Sequence, residues 1–249
     1  VADVFISACT RCFSDCRFEE ACRQIVDLEF DKIDIWMDES SGHLKPSEVA
    51  ADPEGFASRC RELTRLMPVA FTLEHDVPAA TIRGLCAAAR LLKVTQLTVP
   101  ASPLGTPFNS EIDRLKEFVS IGNEFGVRIA IHTKTGQLTE DAHTAVELCQ
   151  SVRGLGLALD PTYYLCNPRQ QTWDQVFPYV LHTFLRDSTD KAVQVQVGLG
   201  EVDYGRMVQN LEKENYHRAL SVDFYVAQLD PETRPLEMRK LRLLLETLV

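Results

Sequence analysis

The feature that most constrains this chain is a repeated switch between two hydrophobic periods. Short apolar runs, of the kind that form buried strands, alternate with longer segments whose apolar residues return every three or four positions. The switch recurs eight times in 249 residues. Val4–Ala8 is the first strand, and Phe18–Leu28 then sets Phe18, Ala21, Cys22, Ile25 and Leu28 on one helical face. Further strands are predicted at Lys32–Met37, Val69–Leu73, Gln96–Val99, Val127–Ile131, Leu155–Leu159, around Thr183–Leu185, and at Leu220–Phe224. Helices are predicted over Pro53–Leu66, Pro78–Leu92, Ser110–Phe125, Thr139–Val152, Trp173–Val180, Tyr204–Glu214 and Arg234–Leu248. Asp38 to Pro46 reads as a loop. Pro78 suits a first turn, Gly126 a helix C-cap, and Thr139 an N-cap.

Strands alternating with helices imply parallel βαβ units. Eight units in this length predict an α/β fold, a (β/α)8 TIM barrel with residues 1–249 as a single domain. The main competitor, an open doubly wound sheet, would carry a GxGxxG turn after its first strand, where this chain has Cys9-Thr-Arg-Cys12.

Composition narrows the partners. Acidic residues number 36 against 26 basic, a net charge of −10, which argues against a nucleic-acid backbone as partner. No apolar run is long enough to span a membrane, and the first residues lack the basic start and apolar stretch of a signal peptide, so a cytoplasmic location is expected. Four of the eight cysteines crowd the start (Cys9, Cys12, Cys16, Cys22). A lone CxxC with no second pair favours small buried thiols over a zinc or iron–sulfur centre.

Barrel chemistry sits at the C-terminal ends of strands, so polar residues there are the informative ones. They are Asp38 and Glu39, Glu74 and His75, His132 and Lys134, Asp160, Arg186 and Asp187, and Asp223. Carboxylates and imidazoles converging from several strands suit a divalent cation or a pair of proton-transfer groups. Each has a plainer reading. Asp160 suits the N-cap of a following turn, His182 a satisfied inner-layer histidine, and His43, His143 and His217 the solvated surface. Arg186 suits an ion pair inside the barrel with Asp187 or Asp160.

The stretch Gly154-Leu-Gly-Leu-Ala-Leu-Asp-Pro-Thr-Tyr163 resembles the pattern "GL-G-l-x-h-D-x-x-H" of the sugar phosphate isomerase/epimerase superfamily. These are the xylose isomerase-like TIM barrels related to endonuclease IV. Asp34-Ile-Trp36 is similar to that family's "vEiW", and His182-Thr-Phe-Leu-Arg-Asp187 to "hvHlkD". Gly198-Leu-Gly-Glu-Val-Asp203 resembles "GeGevD", and Tyr216-His-Arg-Ala-Leu-Ser-Val-Asp223 resembles "gYxGxlsvE". The motifs occur in family order along nearly the whole chain.

The resemblance implies a divalent ion held by Glu, Asp, His and Glu at the ends of strands five to eight. Here those positions read His132, Asp160, Phe184 and Asp223, and Phe184 has no ligand atom. His132, Asp160 and Asp223 are the candidate ligands for Mn, Mg, Co or Zn; a metal-free site is the alternative. The same three are the candidate catalytic groups of an isomerase or epimerase acting on a sugar or sugar phosphate by proton transfer next to a carbonyl. Lys134, Arg186, Tyr163, Glu74 and His75 are the candidate substrate-binding residues. Two other readings stand beside it: a lyase or dehydratase for a sugar acid or inositol-like compound, and a non-catalytic descendant that binds a sugar or a partner. The superfamily's DNA-repair branch needs many histidines, and this chain has six. The implied partner is a small carbohydrate-like molecule. The Leu-rich tail and family habit leave a homodimer open.

Overall fold

Strand β1 (Phe5–Cys9) pairs in parallel with both β2 (Lys32–Met37) and β8 (Ala219–Val222), and this double pairing closes the sheet. Between them run β3 (Met67–Leu73), β4 (Gln96–Pro100), β5 (Arg128–His132), β6 (Gly156–Leu159) and β7 (Val180–Leu185). Each strand bonds to its neighbours in sequence, so barrel order is chain order: the predicted (β/α)8 TIM barrel. This computed structural model describes residues 4–167 and 172–249.

The helices lie where the periodicity placed them, with instructive differences. Helix α1 (Phe18–Asp27) buries Phe18, Ala21, Cys22 and Ile25. The expected loop after β2 contains a short helix, α2 (Pro46–Ala51), ahead of α3 (Pro53–Leu63). Only Pro46 and Val49 of α2 are buried, too few to register as a period, and it ends where Asp52 caps α3 through the Gly55 amide. Helices α4 (Ala79–Leu91) and α5 (Phe108–Phe125) follow; Gly126 closes α5 in the left-handed conformation, φ 74°.

Thr139 is not the cap of the next helix. A 3-10 turn covers Leu138–Glu140, and Asp141 caps α6 (Ala142–Ser151) by accepting from the Thr144 amide. The Thr139 hydroxyl instead donates to the His132 carbonyl at 2.6 Å, which ties down the end of β5. After β6 a short helix, α7 (Pro161–Leu165), begins on Asp160, which serves as its N-cap. The helix expected from Trp173 is a 3-10 turn over Asp174–Tyr179 with Pro178 inside it, and β7 starts directly after. Helices α8 (Tyr204–Lys213) and α9 (Arg234–Glu246) complete the ring. Helix α9 buries Met238, Leu241 and Leu245 beneath the closure, and its Arg234 pairs with Asp15 at 2.8 Å.

The barrel interior combines polar and small groups. Ala130 and Ala158 leave room on β5 and β6 for the ring of Phe184 from β7, and these three pack as a separate apolar cluster. Among the described residues no helix is long and apolar enough to cross a membrane.

Candidate active site

At the C-terminal mouth, six charged side chains from six strand ends, together with His132, form a ring of alternating charge. Asp160 after β6 pairs with Arg186 after β7, and Arg186 lies 3.4 Å from Asp223 after β8. Arg11 follows β1; its Nε donates to Asp223 Oδ1 at 2.9 Å, and a second N–H reaches Asp223 Oδ2. The same guanidinium donates to Glu74 after β3 at 3.0 Å, and Lys134 after β5 meets the other oxygen of Glu74 at 2.7 Å. Trp36 adds an indole N–H to Glu74, also at 3.0 Å. The ring closes through His132, whose Nε2 lies 3.5 Å from Asp160 Oδ2. Sequence distance hides this assembly: Arg11 and Asp223 are 212 positions apart.

The field of the ring fixes its charge states. Burial works against ionised Glu74, but the attraction of Arg11 and Lys134 prevails and holds it well below the usual carboxylate range. Burial likewise opposes ionised Asp160, and Arg186, with help from His132 and Thr162, holds it equally low. His132 goes the other way. Burial lowers its pKa, Arg11 and Lys134 add to that, and Asp160 only partly offsets them, so the imidazole is neutral near pH 7. Among the described residues its buried Nε2 has no hydrogen-bond partner. The Tyr163 and Tyr225 hydroxyls share a 2.6 Å hydrogen bond above it, and burial pushes the Tyr163 phenol far up, so it stays protonated.

One layer down, a second imidazole–carboxylate pair is fully satisfied. His182 Nε2 makes a 2.9 Å hydrogen bond with Asp34 Oδ2, and Thr72 donates to Asp34 at 2.8 Å. Phe184 stands between the two pairs, its ring centroid 4.8 Å from each imidazole.

The other predicted residues divide between ring and rim. Arg186 does not open to the mouth: it is fully buried, and its N–H groups are taken by Val193 O, Asp223, Asp160 and Thr162. It is the ion pair with Asp160 that its plainer reading named. Lys134 is partly exposed on Glu74. Exposed His75 sits on the rim 3.1 Å from Asp38, outside the ring. Glu39 holds the start of α2 through Ser47. Asp187 braces the β7–α8 loop by accepting from the Gly198 and Gly200 amides, and a Cβ at Gly200 would lie 1.9 Å from its carboxylate. His43 is not on the surface as expected. The loop after β2 folds over the end of β1, so His43 donates to the Cys16 carbonyl at 2.8 Å and accepts from Thr10 at 3.1 Å.

Sequence reasoning missed Arg11, Trp36 as a donor, and Tyr225. Arg11 was hidden between Cys9 and Cys12, and its signal is its place two residues past a strand end. Cys12 is structural: it accepts from the Phe224 amide at 3.1 Å, and burial pushes its pKa to about 12. A cleft of about 760 Å³ lined by Arg17, Phe18, His43, Lys45 and Arg59 opens beside α1 and α3, away from the ring.

The donor set does not fit the divalent ion that the resemblance implies. His132, Asp160 and Asp223 do come together, but around a guanidinium. The carboxylate oxygens a metal would use point at Arg186 and Arg11, and Phe184 adds no ligand. A doubly charged ion about 4 Å from one guanidinium would meet a repulsion on the order of 8 kcal/mol at an effective dielectric near 20. Among the described residues no group of three His, Cys, Asp or Glu side chains is arranged to hold a metal.

No protein-family model and no curated protein matches the chain in sequence. Solved structures do match in fold. A xylose isomerase-like TIM barrel protein from Mycobacterium smegmatis, in complex with magnesium, superposes with a TM-score of 0.78 at 15% identity, covering 98% of this chain and 97% of that one. A D-allulose 3-epimerase from Methylomonas sp. gives 0.75 at 12% identity, covering 100% and 99%. The probable 3-DHS dehydratase AsbF of petrobactin synthesis, from Bacillus anthracis, gives 0.70 at 12%, covering 98% and 99%. At these identities the likeness is one of fold: the chain has the architecture of the xylose isomerase-like barrels.

Proposed function

We propose that this chain is an enzyme that moves a proton at a carbon next to a carbonyl in a carbohydrate-like substrate, as an isomerase or epimerase. His132 is its base, and no divalent ion takes part. The observation that carries this reading is the state of His132: neutral, buried at the barrel mouth, its Nε2 without a hydrogen-bond partner among the described residues, beside an ionised carboxylate and in the field of two cations. Nε2 takes the proton from carbon, and the imidazolium so formed is stabilised by Asp160 at 3.5 Å. Negative charge then develops on the carbonyl oxygen. The cations whose field lowers the His132 pKa, Arg11 and Lys134, favour that oxyanion. Return of the proton to the adjacent carbon, with the hydroxyl proton at that carbon passing to the former carbonyl oxygen, isomerises the sugar; epimerisation instead takes a proton from a second donor, such as water, on the opposite face of the same carbon.

A dehydratase begins with the same abstraction and ends by expelling a hydroxyl. The Tyr163 phenol, kept protonated by burial and hydrogen-bonded to Tyr225, favours this second reading, since it sets a phenolic donor beside the base. One experiment tests both. The protein, treated with chelator, is incubated in D2O with a panel of ketoses, sugar acids and inositol derivatives, and proton NMR follows exchange next to the carbonyl. Exchange that survives chelation and falls at least about 10²-fold in His132→Leu supports the proposal. Exchange unaffected by His132→Leu removes His132 from the mechanism. No exchange with any member of the panel favours a binding protein.

A further inference from the structure

The ring contains more than the proposed chemistry uses. Arg186 is the largest of the fully buried side chains, and the proposed mechanism gives it no part. We propose that its guanidinium, seconded by that of Arg11, is the resident cation of this site and does the work the resemblance assigns to a divalent ion: it gathers the strand-end carboxylates and neutralises them.

The hydrogen bonds carry the argument. A guanidinium has five N–H directions, and those of Arg186 meet five acceptors. Nε donates to Val193 O at 3.1 Å; one terminal nitrogen faces Asp223 O at 3.2 Å and Asp223 Oδ2 at 3.4 Å. The other faces Asp160 Oδ2 and, at 2.9 Å, Thr162 Oγ1. The group thus ties the ends of β6, β7 and β8, three of the four strands on which the resemblance places metal ligands. Arg11 completes the set by gripping both oxygens of Asp223.

The faces of the two cations are occupied as well. The Tyr225 ring lies 4.4 Å from both guanidinium carbons, and Phe184 lies 5.7 Å from that of Arg11. At the position of the implied histidine ligand, an aromatic face therefore meets a cation. Arg11, Arg186 and Lys134 balance Glu74, Asp160 and Asp223 one for one, so the ring is neutral without a further ion. A divalent ion would leave that buried ring with an excess of two positive charges.

The test reads metal binding and stability, independently of turnover, so its failure is distinct from failure of the proposed reaction. Chelator-treated protein is titrated with Mn²⁺, Mg²⁺, Co²⁺ and Zn²⁺ while metal content and melting temperature are measured. The expected wild-type result is no stoichiometric binding and no shift in melting temperature. Arg186→Met should melt roughly 10 °C lower. Arg186→Met with Phe184→His restores a ligand and vacates the cation position, so divalent ions should raise its melting temperature by roughly 5–10 °C at a hundredfold excess over Kd. Folding of that double variant only with a divalent ion also supports the proposal. Arg186→Lys should remain indifferent to metal. Binding of one equivalent of metal by the wild type, with stabilisation, overturns the proposal whether or not the methionine variants fold. So does an Arg186→Met melting temperature equal to that of the wild type.

Discussion

Two imidazole–carboxylate pairs lie one layer apart in this barrel, with the same Phe184 ring against each imidazole. In the lower pair, His182 and Asp34 are within hydrogen-bond distance and Thr72 completes the carboxylate's shell. In the upper pair, His132 stands off at 3.5 Å because Arg186 and Thr162 already occupy Asp160. A satisfied pair is a strut. An imidazole whose carboxylate neighbour is spoken for is left with a buried nitrogen that has no hydrogen-bond partner among the described residues, the atom the proposed mechanism uses as its base. The difference lies in the neighbours, not in the residue types.

The sharpest way to break this comparison is to exchange the roles by mutation. His132→Leu should lower turnover by about 10²–10⁴-fold in the deuterium-exchange assay while changing unfolding free energy by less than about 1 kcal/mol, since Nε2 loses only a 3.5 Å contact with Asp160, whose carboxylate Arg186 already satisfies. His182→Leu should do the reverse. Removing one partner of a buried pair costs about 3–5 kcal/mol, read as the midpoint of urea unfolding, with proton abstraction retained in the protein still folded. Equal losses in both assays for both variants would erase the distinction.

Acid titration sharpens it further. The folded-state pKa of His132 lies below its ordinary value of 6.5, so the unfolded chain binds this proton first. Its contribution to stability is present above pH 6.5 and is lost as pH falls through the folded value, at a slope of up to about 1.4 kcal/mol per pH unit. His43, buried likewise, adds its own part, so the reading is the difference between wild type and His132→Leu. Glu74 and Asp160 follow the carboxylate rule: what they contribute is retained above pH 5 and lost only in stronger acid. The smallest expected effect is that of Tyr225→Phe, which removes one hydroxyl from the 2.6 Å pair. It should cost about 0.5–1.5 kcal/mol in thermal unfolding and leave metal indifference intact.

The barrel was legible in the sequence because it repeats. Eight switches of period leave eight marks, and an error at one, such as the short α2 or the 3-10 turn over Asp174–Tyr179, does not disturb the rest. The site has no such redundancy. His132, Asp160, Asp223, Glu74 and Lys134 were found because strand ends point to the mouth, and the ring contains all five. Their roles were less visible. Whether Arg186 faces substrate or carboxylate depends on angles that spacing does not encode. Arg11 reaches Asp223 only because the barrel closes, a contact with no local trace. Phe184 was legible as the absence of a ligand but not as the wall shared by two histidines.

The seam between β1 and β8 is fastened by more than backbone bonds. Arg11 to Asp223, Cys12 to Phe224, and Asp15 to Arg234 all cross it. A chain emerging from the ribosome can pair Asp160 with Arg186, and Arg11 with Glu74, before Asp223 exists, whereas Arg11 must wait for the carboxylate that its Nε bonds. The ring is therefore completed only once β8 has been made. A nascent chain stopped short of β8 would carry the proposed base and most of the barrel, yet lack the carboxylate that joins the two arginines.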